Sequence, residues 1–129
     1  MALENVIQIK NFDANSNDQR TIVSLLPSSN QSLIDLKQVR IVRVEQGGNL
    51  GNHWREYEEI YGIIGEAEFI LKDIETGEQK KYEMSTGDLL KVPSRIALRV
   101  KPLPGSVIAC LSGSYEREAG THKYFEFND

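Results

Sequence analysis

The chain has 129 residues, and its 15 lysines and arginines against 19 aspartates and glutamates give a formal net charge of −4. This length suits one domain. A hydrophobic share of 40% is enough for a single core, and 26% charged residues are too few for a disordered chain. The acidic balance argues against a nucleic-acid partner, because phosphate neutralisation needs a basic face. No apolar run approaches the roughly 20 residues of a membrane span, and residues 1–10 lack a signal-peptide pattern, so we expect a cytoplasmic protein.

Short apolar and β-branched stretches recur along the chain and predict ten strands. In chain order they are residues 6–9, 21–26, 39–44, 60–64, 67–71, 81–84, 89–92, 96–100, 106–111 and 124–127. Residues 73–78 predict a hairpin in which Gly77 has a positive φ. The one helix candidate is residues 32–38, and the polar residues 11–20 predict a surface loop. So many short strands in a small chain predict a sandwich or barrel of the jelly-roll type.

Period-two alternation predicts which side chains face the core. Ile96, Leu98 and Val100 alternate with other residues, so we expect Leu98 to point inward with its two apolar neighbours. The single cysteine, Cys110, lies in an apolar run with no adjacent histidine or basic residue. We therefore expect a small buried side chain at this position rather than a reactive thiol.

Two motifs in the sequence resemble those of the cupin superfamily. Residues 51–59, Gly-Asn-His-Trp-Arg-Glu-Tyr-Glu-Glu, followed by Gly65, resemble the first cupin motif, in which two histidines and a glutamate precede a glycine. Residues 87–93 resemble the second motif, a glycine, five residues and a proline. The resemblance implies an all-β fold, a single-domain cupin jelly-roll barrel (double-stranded β-helix). It places one domain over residues 1–129, with N-terminal strands and a loop at 1–30, a barrel core at 39–111 and a C-terminal strand at 121–127.

Shorter matches are similar to the sugar 3,4-ketoisomerases and the dTDP-4-dehydrorhamnose 3,5-epimerases. Residues 18–21, 37–42 and 50–53 correspond to an Asp-x-Arg-Gly stretch, a Lys-Arg-Val-rich strand and Arg-Gly-x-His in those enzymes. The resemblance implies a metal-independent isomerase or epimerase that acts on a nucleotide sugar and needs no cofactor. In such an enzyme a neutral histidine abstracts a proton beside a ketone, and a tyrosine or second acid returns one.

The metal ligands of a cupin are incomplete in this sequence. A metal-binding cupin presents three imidazoles and one carboxylate to a divalent ion. If His53 takes the first histidine position, the second falls on Arg55, which cannot lose its proton; in the alternative register, His53 is second and Gly51 first. The third position holds Leu98, and the remaining histidine, His122, lies outside both motifs. We therefore expect no bound metal.

The resemblance implies His53 as the catalytic base. Nearby residues could supply the acid or stabilise an oxyanion; they are Arg55, Tyr57, Glu58, Glu59 and Tyr61. If the strand is regular, Glu58 faces inward with Ile60, and Glu59 and Tyr61 face the opposite side. The alternative for His53 is a partly exposed histidine on a strand edge, bonded to Glu58 or to a backbone carbonyl.

Several residues are candidates for substrate binding. Guanidinium groups match phosphate oxygens, so Arg20, Arg40 and Arg43 could hold the diphosphate of a nucleotide sugar; the alternative is that they lie on a solvated outer face. Arg55 belongs to the substrate-binding set as well, and Trp54 and Tyr57 could stack on a base or sugar ring. The alternative for the two aromatic residues is packing at a dimer interface.

Two other functions remain open. The first is a non-catalytic cupin that binds a small ligand in an apolar pocket capped by Arg55 and Glu58, and Leu98 in a ligand position favours it. The second is a metal cupin assembled from His53, Glu58 and His122.

We predict a homodimer, because the edge strands of a small jelly roll need covering and residues 6–26 could exchange across a two-fold axis. Light scattering should then give twice the chain mass of 14.6 kDa. A monomeric mass at working concentration would contradict the prediction.

Overall fold

The protein is described by a computed structural model over residues 3–10, 14–23, 36–113 and 123–124. A short 3-10 helix, Leu3–Asn5, precedes twelve strands in these segments. The strands are β1 Ile7–Ile9, β2 Ala14–Ser16, β3 Thr21–Val23, β4 Gln38–Arg43, β5 Leu50–Trp54, β6 Glu59–Ile64, β7 Glu66–Asp73, β8 Gln79–Ser85, β9 Leu89–Val92, β10 Ile96–Pro102, β11 Val107–Ser112 and β12 Lys123–Tyr124. Over the described segments, no helix has the length and apolar character needed to cross a membrane.

Two antiparallel five-stranded sheets form the body of the protein. The first sheet has the order β1-β9-β6-β11-β4, and the second has the order β12-β5-β10-β7-β8; β2 and β3 form a separate hairpin. Strands that are neighbours in a sheet are mostly distant in sequence, as in β9 beside β6 and β11 beside β4. This all-β arrangement confirms the jelly-roll architecture expected from the sequence.

The main core lies between the two sheets, and strand alternation selects the residues that enter it. Ile96, Leu98 and Val100 of β10 are all in this core, as predicted. Ala97 lies on the opposite face of the strand and packs in a separate cluster with Ile70. Burial on both faces explains why apolar Ile70 in β7 and Ala97 in β10 interrupt the alternation of apolar and polar residues.

The strand β5 was not predicted, because its sequence is polar and irregular. Its pairing with β10 shifts register between Leu98 and Arg99, so that Asn52 forms a bulge. Asn52 and the preceding Gly51 have positive φ values of 58° and 91°. The bulge interrupts the period-two pattern that a sequence search relies on. The strand β2 was missed for a similar reason, since it lies within the polar segment interpreted as a loop.

Parts of three predicted elements lie outside the described residues. These are residues 32–35 of the helix candidate and residues 24–26 and 125–127 of two strands. The helix prediction is wrong at its end, since residues 36–37 are not helical and Gln38 begins β4.

Glycines with positive φ make two of the chain reversals. Gly77, in the β7–β8 turn, has a φ of 80°, as predicted. Gly65, between β6 and β7, has a φ of 116°, and a Cβ placed there would lie 2.3 Å from the hydroxyl oxygen of buried Ser106. The first position demands only a backbone conformation, whereas the second also demands the absence of a side chain.

We expect Gly65→Ala to destabilise the fold more than Gly77→Ala. Alanine at a positive φ costs roughly 1–2 kcal/mol at either position, and the overpacking against Ser106 adds roughly 1–3 kcal/mol at Gly65 only. At Gly77, a Cβ would meet nothing within 4 Å. Chemical denaturation of the two variants measures the difference, and equal losses would contradict the close approach at Gly65.

Candidate functional site

A cavity of about 130 Å³ lies inside the barrel, between the two sheets. The first sheet contributes β4, β6 and β11, and the second sheet contributes β5 and β10. The apolar part of its wall consists of Val42, Leu50, Leu98, Val100 and Ile108, whereas the polar part consists of Arg40, His53, Tyr61 and Cys110. A concave, mostly apolar space with a few convergent polar groups is typical of a small-molecule site.

The bulge in β5 aims His53 into this cavity. Leu50 and His53 both line the cavity although they are three residues apart, because the extra residue of the bulge restores the facing. A Cβ at Gly51 would lie 2.7 Å from the carbonyl oxygen of Leu98, so only glycine allows this close strand approach. Asn52 holds the bulge from outside, since its Oδ1 accepts a hydrogen bond of 3.1 Å from Arg99 Nε. Each residue of the Gly51-Asn52-His53 sequence therefore has a structural role in the bulge or in the cavity wall.

His53 is buried, with 9% of its surface exposed, on a strand that lies between β12 and β10. The alternative of a partly exposed histidine on a strand edge is therefore wrong. The imidazole is in contact with the cavity instead.

The carboxylate of Glu59 is the centre of the polar wall and is 4% exposed. Its Oε1 accepts a hydrogen bond of 2.6 Å from the Tyr61 hydroxyl. Four other side chains meet its Oε2: Arg40 Nη2 at 3.0 Å, Cys110 Sγ at 3.1 Å, Ser112 Oγ at 3.4 Å and Arg55 Nε at 3.4 Å. The donors together compensate for the removal of this carboxylate from water.

Strand register brings this cluster together. Cys110 of β11 lies directly between Arg40 of β4 and Tyr61 of β6. Ser112 lies beside Glu59 in the next inward-facing row, two residues along β11. This part of the cluster is therefore built from three adjacent strands of the first sheet, β4, β6 and β11, which are not consecutive in the sequence.

Electrostatics in the cluster keep the phenol and the thiol protonated. Burial and the charge of Glu59 raise the pKa of Tyr61 well above its ordinary value. The same two causes raise the pKa of the Cys110 thiol to about 12. Burial lowers the pKa of Arg55, but attraction to Glu59 and to neighbouring tyrosines outweighs it, so that this pKa ends above its ordinary value. At neutral pH, Tyr61 and Cys110 are therefore hydrogen-bond donors, and Cys110 is an inert buried thiol as the sequence predicted.

The predicted facing of β6 is wrong. Glu59 and Tyr61 point into the barrel, whereas Glu58 precedes the strand and forms an ion pair of 3.0 Å with Lys91, with 49% of its side chain exposed. Ile60 packs on the outer face, in a second apolar cluster with neighbouring strands. Both faces of β6 are covered, so the isoleucines of this strand do not show which face lies toward the main core. Counting alternate residues back from Gly65 therefore assigned the inward-facing side chains to the wrong face.

The predicted arginines are in different environments. Arg40 lines the cavity and is 29% exposed, so the solvated-face alternative is wrong for this residue. Arg43, on the other face of β4, is 74% exposed and pairs with Glu45 at 2.8 Å. Arg20 is exposed in the β2–β3 hairpin and does not line the cavity.

The two predicted aromatic residues also separate. The Tyr57 hydroxyl accepts a hydrogen bond of 2.8 Å from Arg55 Nη1, which connects it to the Glu59 cluster. Trp54 packs on the outer face of the second sheet beside Ile70, with the Arg95 guanidinium 5.4 Å from its ring centroid. Arg55 itself is 3% exposed and lies in the cluster. The sequence did not distinguish Glu59 from its neighbours as a candidate site residue, and it gave no indication of Ser112. The alternation of Glu59, Tyr61 and Ile63 was the pattern that could have identified Glu59 as inward-facing.

The described side chains do not fit a divalent metal. Within residues 3–10, 14–23 and 36–113, no three histidine, cysteine, aspartate or glutamate residues are grouped so that they could hold one. The guanidinium of Arg55 is paired with Glu59, and Leu98 gives the cavity an apolar wall. In the alternative metal set of His53, Glu58 and His122, the side chain of Glu58 points to Lys91 instead, and His122 lies outside the described residues.

Comparison with known proteins gives matches to solved structures only. No protein-family model and no curated protein matches the chain. The sugar 3,4-ketoisomerase QdtA from Thermoanaerobacterium thermosaccharolyticum, in complex with TDP, is 21% identical, with a TM-score of 0.71 over 90% of this chain and 85% of that chain. The TDP-fucose-3,4-ketoisomerase WlaRA from Campylobacter jejuni is 15% identical, with a TM-score of 0.71 over 93% and 89%. The dTDP-4-dehydrorhamnose 3,5-epimerase from Sulfolobus tokodaii is 15% identical, with a TM-score of 0.78 over 95% and 77%.

At these identities the likeness establishes the fold. The chain has the cupin jelly-roll barrel that these proteins share, as the sequence resemblance implied. Function has to be argued from the site, because one fold supports many activities.

We expect Glu59→Gln to destabilise the protein by about 3–5 kcal/mol, since it leaves buried guanidinium groups without their counter-charge. Glu45→Gln is the matched control, because the Arg43–Glu45 pair is largely exposed on both sides and should change stability by less than about 1 kcal/mol. Chemical denaturation measures both. Similar small losses in the two variants would show that the fold does not depend on the buried carboxylate.

Proposed function

We propose that this chain binds a nucleotide-linked keto sugar and catalyses its isomerisation or epimerisation without a metal, with His53 as the base. The observation that carries the proposal is the position of His53, a buried histidine that lines a cavity inside the barrel. The fold adds support, because one QdtA structure holds TDP and a variant of the same enzyme holds TDP-4-keto-6-deoxyglucose.

The size of the cavity limits what it can enclose. At about 130 Å³ it is smaller than the roughly 300–1,000 Å³ pockets that surround drug-sized ligands. It is therefore suited to a sugar ring, and the nucleotide would extend outside it. Arg20 is exposed and stays a candidate for the diphosphate.

The polar and apolar walls have different roles in the proposed reaction. His53 acts as the base in its neutral form and takes the proton from the carbon beside the ketone. Leu98 and Val100 exclude water from the reacting carbon. Tyr61 lines the same cavity and is protonated at neutral pH, which supports its role as the acid. Glu58 has no place in this mechanism, because its side chain points to Lys91.

A non-catalytic cupin that holds a small ligand is the second candidate function. The apolar walls favour it, and Leu98 in the third ligand position of the motif contributes to them. Both functions use the same cavity, and they differ in whether His53 transfers a proton. The homodimer and the cytoplasmic location stay predictions.

We expect TDP to raise the thermal midpoint of the protein in the presence of a chelator. A ligand at about 100 times its Kd adds roughly 2.7 kcal/mol, which is several degrees for a domain of this size. His53→Asn should keep this shift but lower turnover of TDP-4-keto-6-deoxyglucose by roughly 10²–10⁴-fold, the usual contribution of a general base.

The outcomes separate the two candidate functions. Turnover that survives in His53→Asn would remove His53 from the mechanism. A wild-type protein that shows neither a shift with TDP or UDP nor turnover would refute the nucleotide-sugar proposal and favour the non-catalytic cupin.

A further inference from the structure

Arg40 lies inside the barrel, whereas the diphosphate to which the sequence assigned it would lie outside the cavity with the nucleotide. Its side chain leaves β4 toward the inside of the barrel and lines the cavity beside Tyr61 and Cys110. Its Nη2 is 3.0 Å from Glu59 Oε2 and 3.5 Å from Cys110 Sγ. A guanidinium that is held on a buried carboxylate and still borders the cavity faces the part of a substrate that enters the barrel.

Arg40 and His53 come from opposite walls of this cavity. Arg40 belongs to the first sheet, whereas His53 belongs to β5 of the second sheet, where it pairs with Leu98. Both side chains line the same space of about 130 Å³. A ring bound there has the imidazole on one side and the guanidinium on the other.

The proposed reaction creates a need for a cation at this position. When a base removes the proton beside a ketone, the C–H electron pair forms a C=C bond and the carbonyl pair moves to oxygen, which becomes an enolate. A preorganised donor at that oxygen contributes roughly 10²–10³-fold to the rate. Arginine is suited to the task because it keeps its charge at all working pH values, and the contact with Glu59 fixes it before substrate binds.

We propose that Arg40 contacts the keto oxygen of the sugar and stabilises the enolate that forms when His53 takes the proton. The proposal rests on the function proposed above, and it replaces the role in diphosphate binding that the sequence suggested. The step balances without a reactant other than water: the proton moves from carbon to the imidazole, the enolate then takes a proton at carbon from Tyr61 and becomes a ketone, and water carries the proton of His53 to the Tyr61 phenolate, which restores both groups.

Two measurements on the same variants test the role of Arg40. Solvent deuterium that enters the carbon beside the ketone of TDP-4-keto-6-deoxyglucose, followed by NMR, reports proton abstraction, and calorimetry with TDP reports diphosphate binding. We expect Arg40→Gln to lower the deuterium exchange rate by roughly 10²–10³-fold and to leave the Kd for TDP almost unchanged. Lys101→Gln is the matched control, because it removes one positive charge from an exposed side chain near the end of β10; both measurements should stay at the wild-type values.

The opposite pattern overturns the proposal. If Arg40→Gln weakens TDP binding and leaves exchange from bound substrate intact, Arg40 holds the diphosphate. If neither quantity changes, Arg40 is only a structural partner of Glu59. A wild-type protein that shows no exchange refutes the proposed function itself, and the role of Arg40 falls with it.

Arg40→Lys guards against a folding defect, because it keeps a positive charge beside Glu59. Circular dichroism and the thermal midpoint establish that each variant is folded. Lysine lacks the planar fork that contacts two oxygens at once, so we expect slower exchange with unchanged TDP binding in this variant as well. Wild-type exchange in a folded Arg40→Lys, together with weakened TDP binding, would overturn the proposal.

Discussion

The inside of this barrel depends on one buried negative charge. Glu59 is removed from water between the sheets, and a carboxylate in such a place is stable only if cations and donors surround it. Arg40 and Arg55 supply the cations, and Tyr61 supplies the shortest hydrogen bond, at 2.6 Å. This requirement accounts for the inward orientation of Arg40, Tyr61, Cys110 and Ser112 on the first sheet, and the charge of Glu59 helps to keep the Tyr61 hydroxyl protonated.

The two walls of the cavity therefore differ in kind. The first sheet presents the Glu59 cluster, which strand register assembles from β4, β6 and β11. The second sheet presents mostly hydrocarbon, with His53 as the polar group that the bulge of β5 turns inward. A ligand between them would be oriented by charge on one side and by shape on the other. Such an arrangement suits chemistry in which charge develops at one end of a bound ring.

Arg55 explains why a metal cupin is a poor description of this inner surface. If His53 takes the first histidine position of the cupin motif, Arg55 takes the second, and in the structure its guanidinium is paired with Glu59. The Glu59 carboxylate thus forms an ion pair with a side chain of the protein. This ion pair persists at neutral pH, because the guanidinium keeps its proton.

The sequence by itself determined the strands with regular alternation, the jelly-roll class and the inward position of Leu98, because period-two patterns and turn residues are local properties. It also singled out His53 as a candidate site residue, through a motif whose Gly51 and Asn52 form the bulge of β5. Only the tertiary structure decided that Glu59 rather than Glu58 faces the cavity, since both faces of β6 are covered and hydrophobicity cannot tell them apart. The inward position of Arg40 also depends on the tertiary structure, because its guanidinium pairs with Glu59, which is 19 residues away in the chain and adjacent only after β11 has joined β4 to β6.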